Sequence, residues 1–195
     1  MRLDFDAFII SAKEYGENSA IISTFSKEYG IKKGIAKNIN KKKQVYQSGN
    51  LVNISWFGRE ESLGVITGES VMDYGQKFMH SKYKLLILMS LCGVLDSFLH
   101  DGDTSHGDIF DSSKRCFDFI LKSDDISDIL MAYLLQEIEM IKSLGLLRAS
   151  IDLSCIKSIN RIVLDEYEHL LHHYNKKISK YRLMLSSEIQ RAVLN

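Results

Sequence analysis

The chain has 195 residues, 45% of them apolar, with 25 basic and 25 acidic side chains, enough for one or two compact domains around a buried core. No apolar run of about 18 residues free of charge is present, and Met1–Phe8 carries Arg2, Asp4 and Asp6, so neither a membrane span nor a signal peptide is expected. Three well-separated cysteines, Cys92, Cys116 and Cys155, fit a reduced cytoplasmic protein better than a disulfide scaffold.

The first third reads as short strands separated by glycine turns. Phe5–Ala12 is a mostly apolar run suited to burial on both faces. Ala20–Phe25 is rich in β-branched residues and is followed by the turn Glu28-Tyr29-Gly30. Ile31–Ile39 mixes Ile and Lys on one parity, as a strand partly open to solvent would. Asn38–Asn50 reads as loop, Leu51–Phe57 as a fourth strand and Leu63–Val71 as a fifth, with Gly58–Ser62 as the hairpin connection. Five short strands joined by uneven loops suit an OB-type barrel, with an SH3-like barrel as the alternative of equal strand count. Closure would remove the edges that isolated strands expose.

The period changes near His80. Leu85, Leu88, Met89, Cys92, Leu95 and Leu99 fall at helical spacing, which predicts an amphipathic helix over Ser81–His100. A polar loop follows at Asp101–Gly107, then a helix over Ile109–Leu121 with Phe110, Phe117 and Leu121 inward. Ser123 or Asp124 is placed to cap a third helix that runs to Leu144 and stops at Gly145. Residues 146–164 read as irregular, Glu166–Lys180 as a further helix, and Leu183–Leu194 as its continuation or successor. The expected class is α+β: an N-terminal OB-fold β-barrel at residues 1–78, then an α-helical domain at residues 79–195, in rigid contact.

Zero net charge hides an uneven distribution. Lys27–Lys43 holds seven lysines against Glu28 alone, whereas residues 81–155 hold 7 basic and 12 acidic side chains. Clustered ammonium groups release counterions on contact with phosphates, so the candidate nucleic-acid site is Lys27, Lys32, Lys33, Lys37, Lys41, Lys42 and Lys43 with Arg59. Tyr46, Trp56 and Phe57 lie nearby in sequence as candidate base-stacking residues. Tyr46 is placed in the site, and Trp56 is assigned more readily to a core. Lys176, Lys177, Lys180 and Arg182 form a second basic group for DNA or partner contacts. His169 and His173 are spaced for a zinc pair, but the sequence His169-Leu170-Leu171-His172-His173 lacks the glutamate of H-E-x-x-H, and no metal is expected. Cys92 and Cys116 read as core. No nucleophile–base pair, Walker sequence or Ca²⁺ loop spacing is present, so neither an enzyme nor a cofactor is expected.

Several pieces in order carry a resemblance to one family. Tyr15-Gly16-Glu17-Asn18-Ser19 resembles the Y-G-E-x-S/D turn of the RecO recombination mediators, and Phe25-Ser26-Lys27-Glu28-Tyr29-Gly30 their F-T-x-x-H-G. Lys32–Lys43 occupies the basic segment, and Gln47-Ser48-Gly49-Asn50-Leu51 with Trp56 resembles L-Q-P-x-N-x-L…W, with Ser48 at the proline position. Tyr133–Leu153 is similar to F-E-L-x-L-L-x-E-L-G-F-G-L-D-L, and His172-His173 with Lys176, Lys177 and Arg182 to the closing H-H-x-x-K-x-L-K-S-R. The resemblance implies an OB-fold and a helical domain. It implies binding of single- and double-stranded DNA, annealing of complementary strands, and partnership with RecR. It also implies contact with the C-terminal tail of the single-strand-binding protein and, indirectly, loading of RecA, in the cytoplasm at the nucleoid. Cys155 stands at the first position of the family's zinc insertion with no further cysteine after it, so the region near 150–165 reads as a degenerate zinc module. The tail site is expected in the helical domain, beside Lys82 and Lys84, beside Lys114 and Arg115, or at the basic C-terminal segment. The alternative reading is an OB-fold adaptor that binds protein partners without annealing DNA.

Overall fold

A computed structural model of the chain describes residues 1–59, 62–102, 104, 106–145, 155–173 and 177–192. Strands β1 (Arg2–Glu14), β2 (Ser19–Ser26), β3 (Gly30–Lys37), β4 (Leu51–Phe57) and β5 (Gly64–Met72) close into a barrel in the order β1-β2-β3-β5-β4. All neighbours are antiparallel except β3 and β5, which are parallel over Gly34–Ala36. This is the expected OB topology. The first strand is longer than its apolar run because it serves two partners. Its first half pairs with β4 and its second with β2, and a bulge between Ile9 and Ser11 bends it between them.

Period-two alternation sets the barrel interior. Leu3, Phe5, Ala7 and Ile9 of β1 meet Val52, Ile54 and Trp56 of β4 inside, with Ala20, Ile22, Ala36 and Ile66. Trp56 is buried, and its Nε1 donates to the Lys33 carbonyl at 2.9 Å. A Cβ on Gly64 would overlap the indole, so β5 enters the barrel on a glycine. The expected loop 38–50 holds a single helical turn, α1 (Ile39–Lys42), after which Val45 and Tyr46 fold onto the barrel core together with Ile39.

The helices are α2 (Tyr74–Phe78), α3 (Lys82–Phe98), α4 (Gly107–Lys122), α5 (Ile126–Ser143), α6 (Ile156–His173) and α7 (Lys180–Ala192). The sequence reading missed α2, which is too short to show a period but buries Tyr74 and Phe78. Ser81 caps α3 by accepting from the Lys84 amide, and Asp125, rather than Ser123 or Asp124, caps α5. Gly145, at φ +69°, takes the left-handed conformation that ends α5. The larger correction is α6. Residues 156–164 are helical, and Ile159, Val163 and Tyr167 form its buried stripe. Asn160 interrupts that stripe in the sequence, yet it too is buried, donating to Ser186. Residues 177–179 are not helical, so the helix does not run to Lys180. Residues 146–154 of the stretch read as irregular lie outside the described residues.

The central helix is α3. Leu88, Cys92, Leu95 and Leu99 are buried as the spacing predicts, but so are Leu86, Ile87, Leu91, Val94 and Phe98, and Leu85 is exposed. A helix apolar almost all round is packed on more than one side. It lies against β1, α5 and α7. One continuous core joins these helices to Phe8, Ile10, Phe25, Ile31 and Leu51 on the outside of the barrel. Among the described residues, no helix is long and apolar enough to cross a membrane.

Cys92 and Cys116 are buried, as the sequence implied, while Cys155 is exposed. Burial pushes the Cys92 thiol up to about 12 and raises Cys116 as well. A thiol-reactive reagent is expected to modify only Cys155 in the native protein and all three cysteines in denaturant, read by intact mass.

A buried ion pair holds the C-terminal helix. Arg182 of α7 donates through Nε to the Glu137 carboxylate of α5 at 2.7 and 3.0 Å, and through Nη1 to Asn160 of α6 at 2.8 Å. Both charged side chains are fully buried. Tyr133 donates to the same carboxylate at 2.6 Å and sits 2.8 Å from Ser90 of α3. Burial alone would lower the Arg182 pKa, but Glu137 outweighs it and holds the guanidinium charge firmly. Arg182→Met leaves a buried carboxylate without its counter-charge, so it is expected to cost about 3–5 kcal/mol in urea unfolding. Adding Glu137→Leu should recover much of that loss.

Candidate nucleic-acid interface

The sequence places seven lysines in one short segment, and the fold divides them. Lys32, Lys33 and Lys37 lie on β3, Lys41 and Lys42 in α1, and Lys43 directly after it. Lys27, in the β2–β3 turn, bonds Asp111 of α4 at 2.6 Å, and that carboxylate raises its pKa. Lys33 bonds Asp101, after α3, at 2.9 Å. Lys32 lies over the Trp56 ring, 5.6 Å from its centroid. Lys42 donates to the Gly68 carbonyl at 3.2 Å. Lys37, Lys41 and Lys43 are exposed and make no ion pair among the described residues. Arg59 is exposed at the tip of the β4–β5 connection. The unengaged charge therefore sits at the end of β3 and in the α1 segment. The lysines nearer the helices are partly neutralised by acids 68 and 84 residues away in sequence.

Two expected site residues are corrected. Tyr46 is 3% exposed and part of the barrel core, and burial raises its hydroxyl pKa. It plugs the barrel end and has no face to offer a base. Arg182 is buried in its pair with Glu137 and is unavailable to DNA or a partner. Lys177 and Lys180 are exposed, with Lys180 over the Tyr181 ring, and Lys176 lies outside the described residues.

Phe57 is the exposed aromatic of β4, at 65%. Its alternation signal is in the sequence. Val52, Ile54 and Trp56 share one parity and point inward, so Asn53, Ser55 and Phe57 must point out. Lys13, exposed near the end of β1, is a cation outside the lysine segment that sequence analysis singled out.

Elsewhere, the cations of α3 and α4 considered for a peptide tail each have an acidic neighbour. Lys82 pairs with Glu188, Lys84 with Asp124, Lys114 with Asp118 and Arg115 with Glu139. His169 and His172 are exposed near the end of α6, and Cys155 precedes that helix. Among the described residues, no group of three or more His, Cys, Asp or Glu side chains is arranged to hold a metal ion.

The family described as "Recombination protein O N terminal" matches residues 1–74, which contain every strand of the barrel. Residues 1–74 thus form an N-terminal domain of the RecO family. It is 31% identical over 130 residues to the DNA repair protein RecO of Gluconacetobacter diazotrophicus, covering 65% of this chain and 51% of that protein. With the Ehrlichia chaffeensis protein of that name, identity is 28% over 148 residues, 74% of this chain and 59% of the relative. A third, from Rickettsia canadensis, is 35% identical over 95 residues, 48% of this chain and 39% of that protein. The chain thus spans between about two fifths and three fifths of these relatives.

Proposed function

We propose that this chain acts without catalysis in DNA repair, holding DNA on the basic end of its barrel. The observation that carries this reading is the group of exposed Lys37, Lys41 and Lys43 on an OB barrel, which make no ion pair among the described residues. Relatives named DNA repair protein RecO support it. Ammonium groups read phosphate rather than base edges, so binding is insensitive to sequence and sensitive to salt. A protein that holds strands by their backbones leaves base edges free to pair. On this reading the chain anneals complementary single strands and helps load the strand-exchange recombinase, RecA, onto single-stranded DNA. Its partners are then single- and double-stranded DNA, a RecR-type protein and the tail of the single-strand-binding protein, in the cytoplasm at the nucleoid.

The ion pairs of Lys27 and Lys33 support giving the other lysines the larger share of binding on this reading. Replacing Lys37, Lys41 and Lys43 by Ala is expected to weaken binding equally across sequences and to flatten the plot of log K against log salt. On single strands the slope should fall by about 0.7 for each phosphate that the variant no longer neutralises. The Lys27→Ala, Lys33→Ala pair should change the slope less, because both cations already face carboxylates. Tyr46→Phe should leave affinity unchanged, since that ring is enclosed. Fluorescence anisotropy across a salt series checks all three. If the parent protein binds no DNA, the adaptor reading replaces this one.

A further inference from the structure

The helices cover one side of the barrel, where its outward residues are Phe8, Ile10, Phe25, Ile31 and Leu51. On the side they leave bare, strand register aligns a second apolar row. Ile21 of β2 pairs with Ile35 of β3, Ile35 with Val65 of β5, and Val65 with Phe57 of β4. Paired residues share a face, so the four form one band across adjacent strands, roughly 14 Å long at ordinary strand spacing. Ile21 and Ile35 are half-buried, Val65 is 41% exposed and Phe57 65%.

The charge around this band is uneven. Lys13 pairs with Ile21 at one end and makes no ion pair among the described residues. Lys37 lies two residues beyond Ile35 on the same face of β3. Arg2 pairs with Phe57 in the register at the other end, but it is bonded to Asp4. Asp4, Asp6 and Glu69 share outward rows with Ser55 and Asn53, on β1, β4 and β5. A polyanion is therefore drawn to the β2–β3 side and repelled from the β1–β4–β5 side. Phe57 and Val65 lie at the border between the two.

We infer that this band is a base-contacting strip for single-stranded nucleic acid, with a base stacked on Phe57 and the backbone carried along the Lys13 and Lys37 side. The inference rests on the DNA-binding reading above and adds selectivity to it. Lysines attract the phosphates of either form. A duplex keeps its base faces inside its own stack, so only a single strand can present one to an exposed ring. The apolar neighbours Val65 and Ile35 give the unstacked base a surface that excludes water.

The test uses the full chain and anisotropy with a labelled oligothymidylate and a duplex of equal length, at one salt concentration. Phe57→Ala should lose about tenfold in affinity for the single strand and leave the duplex unchanged. Phe57→Tyr should retain binding. Phe57→Trp supplies a direct readout: Trp56 is buried, so the new solvent-exposed emission should be quenched by the single strand and not by the duplex. Equal losses on both forms, no loss in Phe57→Ala, or no quenching in Phe57→Trp would overturn the inference. DNA binding that persists while Phe57→Ala changes nothing overturns the strip and leaves the lysine reading standing. A parent protein that binds neither form removes both.

Discussion

Much of the outside of this barrel is apolar, and keeping water from it organises the rest of the molecule. Phe8 meets Phe110 at 5.2 Å and Phe117 at 5.5 Å between ring centroids, and Phe25 meets Phe110 at 5.9 Å. Tyr74 and Phe78 of α2 join the same aromatic group. Large rings buried together contribute heavily to a core, and here the core runs from the strands into the helices without a break. The covered face decides, by exclusion, which face of the barrel remains open. The bare band from Ile21 to Phe57 exists because α2, α3 and α4 are committed elsewhere.

The buried pair of Arg182 and Glu137 extends that order to the C-terminal helix. An ion pair removed from water gains little net energy, but losing one member is costly. The carboxylate also accepts from Tyr133, and the guanidinium reaches Asn160, which ties α5, α6 and α7 to one point. α3 joins through Ser90. A side chain read from sequence as a surface cation is thus fully enclosed among the helices.

Electrostatics follows the same contacts. Asp101 and Asp111 reach Lys33 and Lys27 only because the helices pack on the barrel, and they shorten the useful basic segment from its N-terminal end. What remains, Lys37 to Lys43 with Lys13, faces solvent. The acidic helical region and the basic loop are complementary parts of one surface, which the zero net charge conceals.

By itself the sequence determined the order of strands and most helices, the inward parity of Val52, Ile54 and Trp56, and the burial of Cys92 and Cys116. These are local properties: alternation, helical spacing and turn chemistry act over a few residues and are visible as pattern. The outward parity of Phe57 was equally legible, though its partners Val65, Ile35 and Ile21 were not. Tertiary structure alone decided that Tyr46 plugs the barrel, that Arg182 is buried, and that Lys27 and Lys33 are partly neutralised. Each of those outcomes depends on groups distant in sequence being brought within a few ångströms. The reason is physical: period reports which side of an element is apolar, whereas desolvation and charge pairing depend on what finally packs against it.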